Sequence, residues 1–260
     1  LSGANEHSGT SISAGTVAVG SNSVGTAGAI TSGALGKTTA TVSSGAALNL
    51  NGKTVLNALS ISGAGISSNG ALLNNSGTAA ELGGVLTLAA DSSIGGSGNY
   101  AISGAIAGAY GLTKVGANTI TLSGATNGST TTTISAGTLQ IGSNGTSGAL
   151  GSGNVSNSGI LIINRSNDIS ISNLISGSGN LTKQGAGVLT LSAANSYTGV
   201  TIITAGTLSV SSLANGGSNS NIGAASNSAV NLVLDGGILK YTGSAVSTDR
   251  LFTITNNGGT

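Results

Sequence analysis

The chain has 260 residues, of which 46 are glycine; proline, cysteine, methionine and tryptophan are absent, and only five residues are aromatic. Seven basic and six acidic residues, scattered singly, give a net charge of +1. This provides no basic patch for nucleic acid and no polybasic segment for anionic lipid. With so few aromatics, the space between layers has to be filled by Val, Ile, Leu and Ala, which suits a narrow interior. Positive mean hydropathy and regular aliphatic bursts separate the chain from disordered sequences. No apolar run approaches the roughly 20 residues of a membrane-spanning helix. Zero cysteine fits an exported protein, and a chain that starts at Leu1 without any Met reads as a segment of a longer polypeptide.

The first strand signals lie in "ISAGTVAVG" at 12–20, directly after "LSGANEHSG" at 1–9. The same pair returns as "LSGATNGST" (122–130) with "ISAGTLQIG" (134–142), and as "LSAANSYTG" (191–199) with "ITAGTLSVS" (203–211). The two later copies are each introduced by an LTK motif, "GLTKVGANTITLSG" at 111–124 and "NLTKQGAGVLTLSA" at 180–193. "GVLTLAAD" at 84–91 echoes "GVLTLSAAN" at 187–195. Repeat copies are thus placed near 1–20, 111–142 and 180–211.

Within the motifs the apolar period is two. Ile120 and Leu122 face one way and Thr119 and Thr121 the other; Leu189 and Leu191 oppose Val188 and Thr190. β-Branched alternation bounded by Gly, Ser and Asn predicts short half-buried strands. Helical spacing is nowhere sustained, and two-residue hairpin turns do not dominate. The pattern predicts an all-β parallel β-helix of roughly 11–13 coils, each of about 20 to 23 residues, forming a single solenoid over residues 1–260. On that spacing the step from position 111 to position 180 makes three coils. Absence of proline follows, because nearly every strand of a solenoid is central and proline deletes a ladder hydrogen bond. Low charge follows too, since like charges stacked one coil apart repel.

The stretch 179–208 resembles the passenger-associated repeat of bacterial autotransporters, and "LDGGILKYTGSAVSTDRLFTITNNGGT" at 234–260 resembles the stretch that follows such repeats. The resemblance covers roughly half the chain. It implies a right-handed β-helix belonging to a longer passenger. It also implies export to the bacterial cell surface by type V secretion, with repeats that assist secretion and folding outside the outer membrane. No translocator barrel is read here, because the aromatic girdles of its membrane strands are missing.

The chemistry-bearing residues form no constellation in the sequence. His7 has only Glu6 nearby as a second metal ligand and is read as a solvated loop residue. Lys114 and Lys183 are expected to lay their stems over the outer sheet with the ammonium in water. Asp91, Asp168, Asp235 and Asp249, with Arg165 and Arg250, are the candidates for general acid and base work and charge stabilisation. Sequence neighbours alternate faces on a strand, so no catalytic set is assigned. "GGSGNY" at 95–100 starts like a calcium nonapeptide but has Asn99 and Tyr100 where aspartate is needed. "STTTT" at 129–133 is read as a solvent-facing Thr strand rather than an ice-binding ladder.

The chain is therefore expected to be non-enzymatic, without catalytic, metal or cofactor residues. Its expected role is that of an extracellular stalk, adhesin or filament unit, with surface glycans or proteins as partners and end-to-end self-association. The alternative is a carbohydrate-binding or carbohydrate-cleaving β-helix, for which only Tyr100, Tyr110, Tyr197 and Tyr241 are available to stack on sugars.

Overall fold

A computed structural model describes all 260 residues. It contains 28 short strands and two single turns of 3₁₀ helix, Ile66–Ser68 and Ala229–Asn231. The strands stack as a parallel β-solenoid of about 11 turns. The chain forms two compact units, Leu1–Leu139 with Gly148–Ser152, and Gln140–Ser147 with Gly153–Thr260.

In the first unit one ladder runs through Ser11–Ile12, Ala40–Val42, Leu59–Gly63, Leu86–Gly96, Gly111–Lys114 and Thr131–Ile134, all parallel. A second runs through Thr54–Val55, Ala80–Leu82, Tyr100–Ile102 and Thr119–Leu122. The one antiparallel strand pair is the hairpin of Val24–Thr26 with Ala29–Ser32. In the second unit one ladder joins Ile160–Arg165, Asn180–Gln184, Thr201–Ile203, Leu232–Leu234 and Thr253–Ile254. Another joins Ile169–Ile171, Val188–Leu191, Thr207–Val210 and Ile238–Tyr241.

The commonest coil sits at the short end of the expected range. Ser92 pairs with Leu112 and Leu112 with Thr132; Leu161 pairs with Leu181 and Leu181 with Thr201. Longer coils come from surface excursions: Thr201 pairs with Leu232 and Leu208 with Leu239 because residues 212–231 leave the ladder and return. The step from position 111 to position 180 is therefore not a multiple of the commonest coil.

The interior is aliphatic, as the composition requires. Ile120, Leu122, Leu189 and Leu191 are all buried, while Thr119, Thr121, Val188 and Thr190 are half-buried. Polar side chains stitch successive coils at the corners. Asp91, Asn99, Asp168 and Asn180 each accept, through Oδ1, the backbone N–H of the residue 20 positions later, at 2.7, 2.8, 2.9 and 2.9 Å. A strand end leaves an amide without a ladder partner, and a short carboxylate or carboxamide one coil below satisfies it.

Candidate functional site

Lys114 closes the strand Gly111–Lys114, and Lys183 lies near the end of Asn180–Gln184. Period two puts each on the same face as the Leu two residues before it, which is the inner face. Lys114 is stacked between Ile94 and Ile134, Lys183 between Ile163 and Ile203. Neither side chain is more than 1% exposed. The expectation of solvated ammonium groups over the outer sheet is thus overturned: the stems replace one isoleucine in an aliphatic stack, and the heads stay inside.

What makes this tenable is a cage of carbonyl oxygens. Lys114 Nζ donates to Val115 O at 2.8 Å, Gly116 O at 2.7 Å and Ala136 O at 3.1 Å. Lys183 Nζ donates to Gln184 O, Gly185 O and Ala205 O at the same three distances. A primary ammonium has three donors and all are used. Burial pushes both lysines down to about 8, with Asp168 partly countering the shift at Lys183. The third carbonyl in each case belongs to the next coil, to the Ala of "SAGT" or "TAGT". One ammonium thereby ties the two halves of the motif, LTK and AGT, from one coil to the next.

The glycine after that alanine completes the cage. Gly137 and Gly206 have φ of 65° and 62°. A Cβ at Gly137 would lie 2.5 Å from Gly116 O, and one at Gly206 would lie 2.5 Å from Gly185 O. Only glycine lets the upper turn settle onto the carbonyls that the lysine holds.

A second internal contact belongs to the last copy. Tyr197 is fully buried, and its hydroxyl shares a hydrogen bond of 2.7 Å with Thr201 Oγ1. Burial pushes its phenol well above the usual range, the Thr201 hydrogen bond only partly offsetting this. Tyr100 is buried too and donates to Leu72 O at 3.1 Å. Both are thereby removed from the set of sugar-stacking candidates; Tyr110 is 44% exposed and Tyr241 donates to Ser244 O.

The remaining sequence candidates are dispersed. His7 is exposed and shares a 3.0 Å contact with Thr10 Oγ1; Glu6 pairs with Lys37 at 3.0 Å. Arg165 donates to Asn167 Oδ1 and Thr146 O, while Asp168, three positions on, serves Val188 N. Asp235 accepts from Thr255 and Asn257, whose hydrogen bonds hold its carboxyl below the usual value. Asp249 accepts Gly216 N, and Arg250 donates to Ala214 O, Ser218 O and Gly223 O, pinning the 212–231 excursion. Asn99 of the calcium-like motif caps Thr119 N. Every carboxylate is thus spoken for by a neighbouring coil, a hydroxyl or a surface lysine, with Glu81 bound by Ser103 Oγ. A groove of about 450 Å³ in the first unit, beside the hairpin, is lined by Ile30, Leu56, Ala58, Val85 and Ala105 with Lys37 at its margin.

The passenger-associated-transport-repeat family matches residues 1–19, 112–141 and 181–210, and the two later matches bracket the two cages. These three stretches are similar to the repeats of autotransporter passengers. The adhesin BmaC autotransporter of Brucella suis biovar 1 (strain 1330) is 38% identical over 191 residues, which is 60% of this chain and 6% of that protein. The chain therefore spans a small fraction of the curated relative it matches. No solved structure matches it significantly. Its place is extracellular, at the bacterial cell surface.

Proposed function

We propose that this passenger segment is a rigid, non-catalytic spacer or adhesive module of a longer surface protein, whose repeats act as closure points during folding outside the cell. The observation that carries this reading is the pair of identical ammonium cages, each joining two successive coils through backbone carbonyls. Side-chain chemistry that an enzyme would turn toward substrate is here turned into the stack. Exposed outer faces rich in Ser and Thr remain for contact with surface glycans or proteins, and end-to-end association with a second copy belongs to the same reading.

The test is to display the full passenger on cells with residues 111–211 present or deleted. Attachment to host cells or matrix is then scored beside protease resistance at the surface, and purified segment is assayed against a polysaccharide panel. Reduced attachment and resistance on deletion, with no sugar release, is expected. Release of reducing ends by the purified segment, or glycan binding lost in Tyr241→Ala, would replace this reading with the carbohydrate-active one. Light scattering over a concentration series checks association: a rising particle mass is expected, and a constant monomer mass rules out end-to-end contact.

A further inference from the structure

The ring at position 197 has counterparts that the repeat alignment misplaces. Shifting Tyr197 back by the step that separates the two LTK motifs gives Gly128. The backbone gives Ser129 instead, by three independent marks. A turn of the next coil donates an N–H to the carbonyl of each station: Lys37 N to His7 O at 2.9 Å, Ser152 N to Ser129 O at 3.0 Å, Ala224 N to Tyr197 O at 2.7 Å. An asparagine two positions earlier reaches into that same turn: Asn5 to Ala34 O, Asn127 to Ala149 O, Asn195 to Asn221 O. A glycine preceding the donating residue lies against the station: a Cβ on Gly36, Gly151 or Gly223 would fall within 2.2 to 2.5 Å of the carbonyl oxygen of His7, Ser129 or Tyr197.

At two of these stations a ring reaches a threonine hydroxyl, His7 to Thr10 at 3.0 Å and Tyr197 to Thr201 at 2.7 Å. At the middle station the residue is serine, too short to do so. Ser129 and the corresponding Thr132 are 0% and 2% exposed, and neither Ser129 Oγ nor Thr132 Oγ1 has a hydrogen-bond partner in the protein. Two unpartnered hydroxyls only three positions apart are an unusual burden, because buried polar groups are nearly always satisfied by protein or by ordered water. Internal water is held where a site offers it several polar atoms, and these two hydroxyls can each donate or accept.

We propose that Ser129 and Thr132 form an internal hydration site, binding one long-lived water that bridges the two hydroxyls where a ring reaches the threonine at the other stations. The water takes the place of the ring's polar end, so the middle station closes through a ligand and the outer two close through a side chain of the protein itself.

Water-oxygen and deuteron magnetic relaxation dispersion on the whole chain counts long-lived internal waters. The wild type is expected to hold one more than the Ser129→Ala/Thr132→Val variant, and Thr132→Ser, which keeps the hydroxyl, is expected to retain it. Thermal unfolding gives a second readout by sign. With a bridging water, Thr132→Val lowers the midpoint, since the water loses a partner, and the combined loss in the double variant is smaller than the sum of the single ones. Equal water counts in the wild type and the double variant would overturn the proposal. So would a raised midpoint for Thr132→Val, the result expected when a dry, unpartnered hydroxyl is removed.

Discussion

The repeat copies at 111–142 and 180–211 share their ammonium cages to within the same three distances, yet differ in the station that follows: Ser129 stands in the first and Tyr197 in the second. The cage is built from backbone carbonyls, whose positions are fixed by the coil itself, so any sequence that keeps Lys, the two glycines and the strand register rebuilds it. The tyrosine contact depends on side-chain reach, and a drift of one position in the connection is enough to lose it. Backbone-defined features are the durable part of this repeat, and side-chain-defined ones vary from copy to copy.

The strongest way to break either copy is through its core. Ile120→Asp and Leu189→Asp should each destabilise by about 4 kcal/mol or more, because an unpaired charge enters a dry aliphatic stack, whereas Thr121→Asp and Thr190→Asp should cost well under half as much. Urea unfolding of the four variants measures this, and equal effects on the two faces would mean the inner face is misassigned. Next come the glycines: Gly137→Ala and Gly206→Ala should each cost about 2 to 4 kcal/mol, combining left-handed backbone strain with a Cβ forced against a carbonyl. Similar losses in both would confirm that the cages are equivalent. A loss at only one would separate them.

Lys114→Met and Lys183→Met keep the stem and delete the ammonium. Three carbonyls in each cage then lose their donor, and about 2 kcal/mol of stability should go with them, offset in part by relief of the buried charge. Tyr197→Phe leaves Thr201 as Thr132 stands in the protein, a buried hydroxyl without a protein partner, and should cost about 1 to 2 kcal/mol by thermal unfolding. The last effect is pH-dependent. Both lysines are pushed from an ordinary 10.5 down to about 8 in the folded protein, so the unfolded chain binds more protons between those values. Stability contributed by these sites is lowest below pH 8 and rises as pH climbs through 8 toward 10. The wild type should therefore gain stability from pH 7.5 to 9.5 relative to the Lys114→Met/Lys183→Met variant, and a parallel pair of curves would refute it.

Much of this architecture is legible in period-two alternation. Ile120, Leu122, Leu189 and Leu191 point inward because the strand pleat sends every second side chain to one face, and the repeats require parallel stacking because no coil can bury that face alone. The same alternation carries a signal about the lysines. Lys114 is two positions beyond Leu112, and Lys183 two beyond Leu181, so both belong to the inner face; the general preference of lysine for the surface points the other way and, here, misleads. Tyr197 is harder, since it sits in a connection where no period applies, and its partner Thr201 lies at the start of the next strand. Ser129 and Thr132 are illegible: their meaning depends on a shift of one position that only the neighbouring turn, Leu150 to Ser152, reveals. Coils longer than the expected range, such as Leu59 to Leu86 and Thr201 to Leu232, are not legible either, because the excursions that lengthen them carry no period.

The inward lysines also change what the molecule offers to a digestive enzyme. Trypsin-like proteases need a lysine or arginine on an extended, reachable chain, and the sequence has only seven such residues. Lys114 and Lys183 are sealed in the stack, and Arg165 and Arg250 are held by backbone carbonyls of their own unit. Lys37 and Lys240 are exposed, and Lys53, Arg165 and Arg250 are half-buried. A segment displayed outside the cell thus meets secreted proteases with two of its seven cleavable residues withdrawn, and nicking at Lys114 or Lys183 becomes a direct report that a coil has opened.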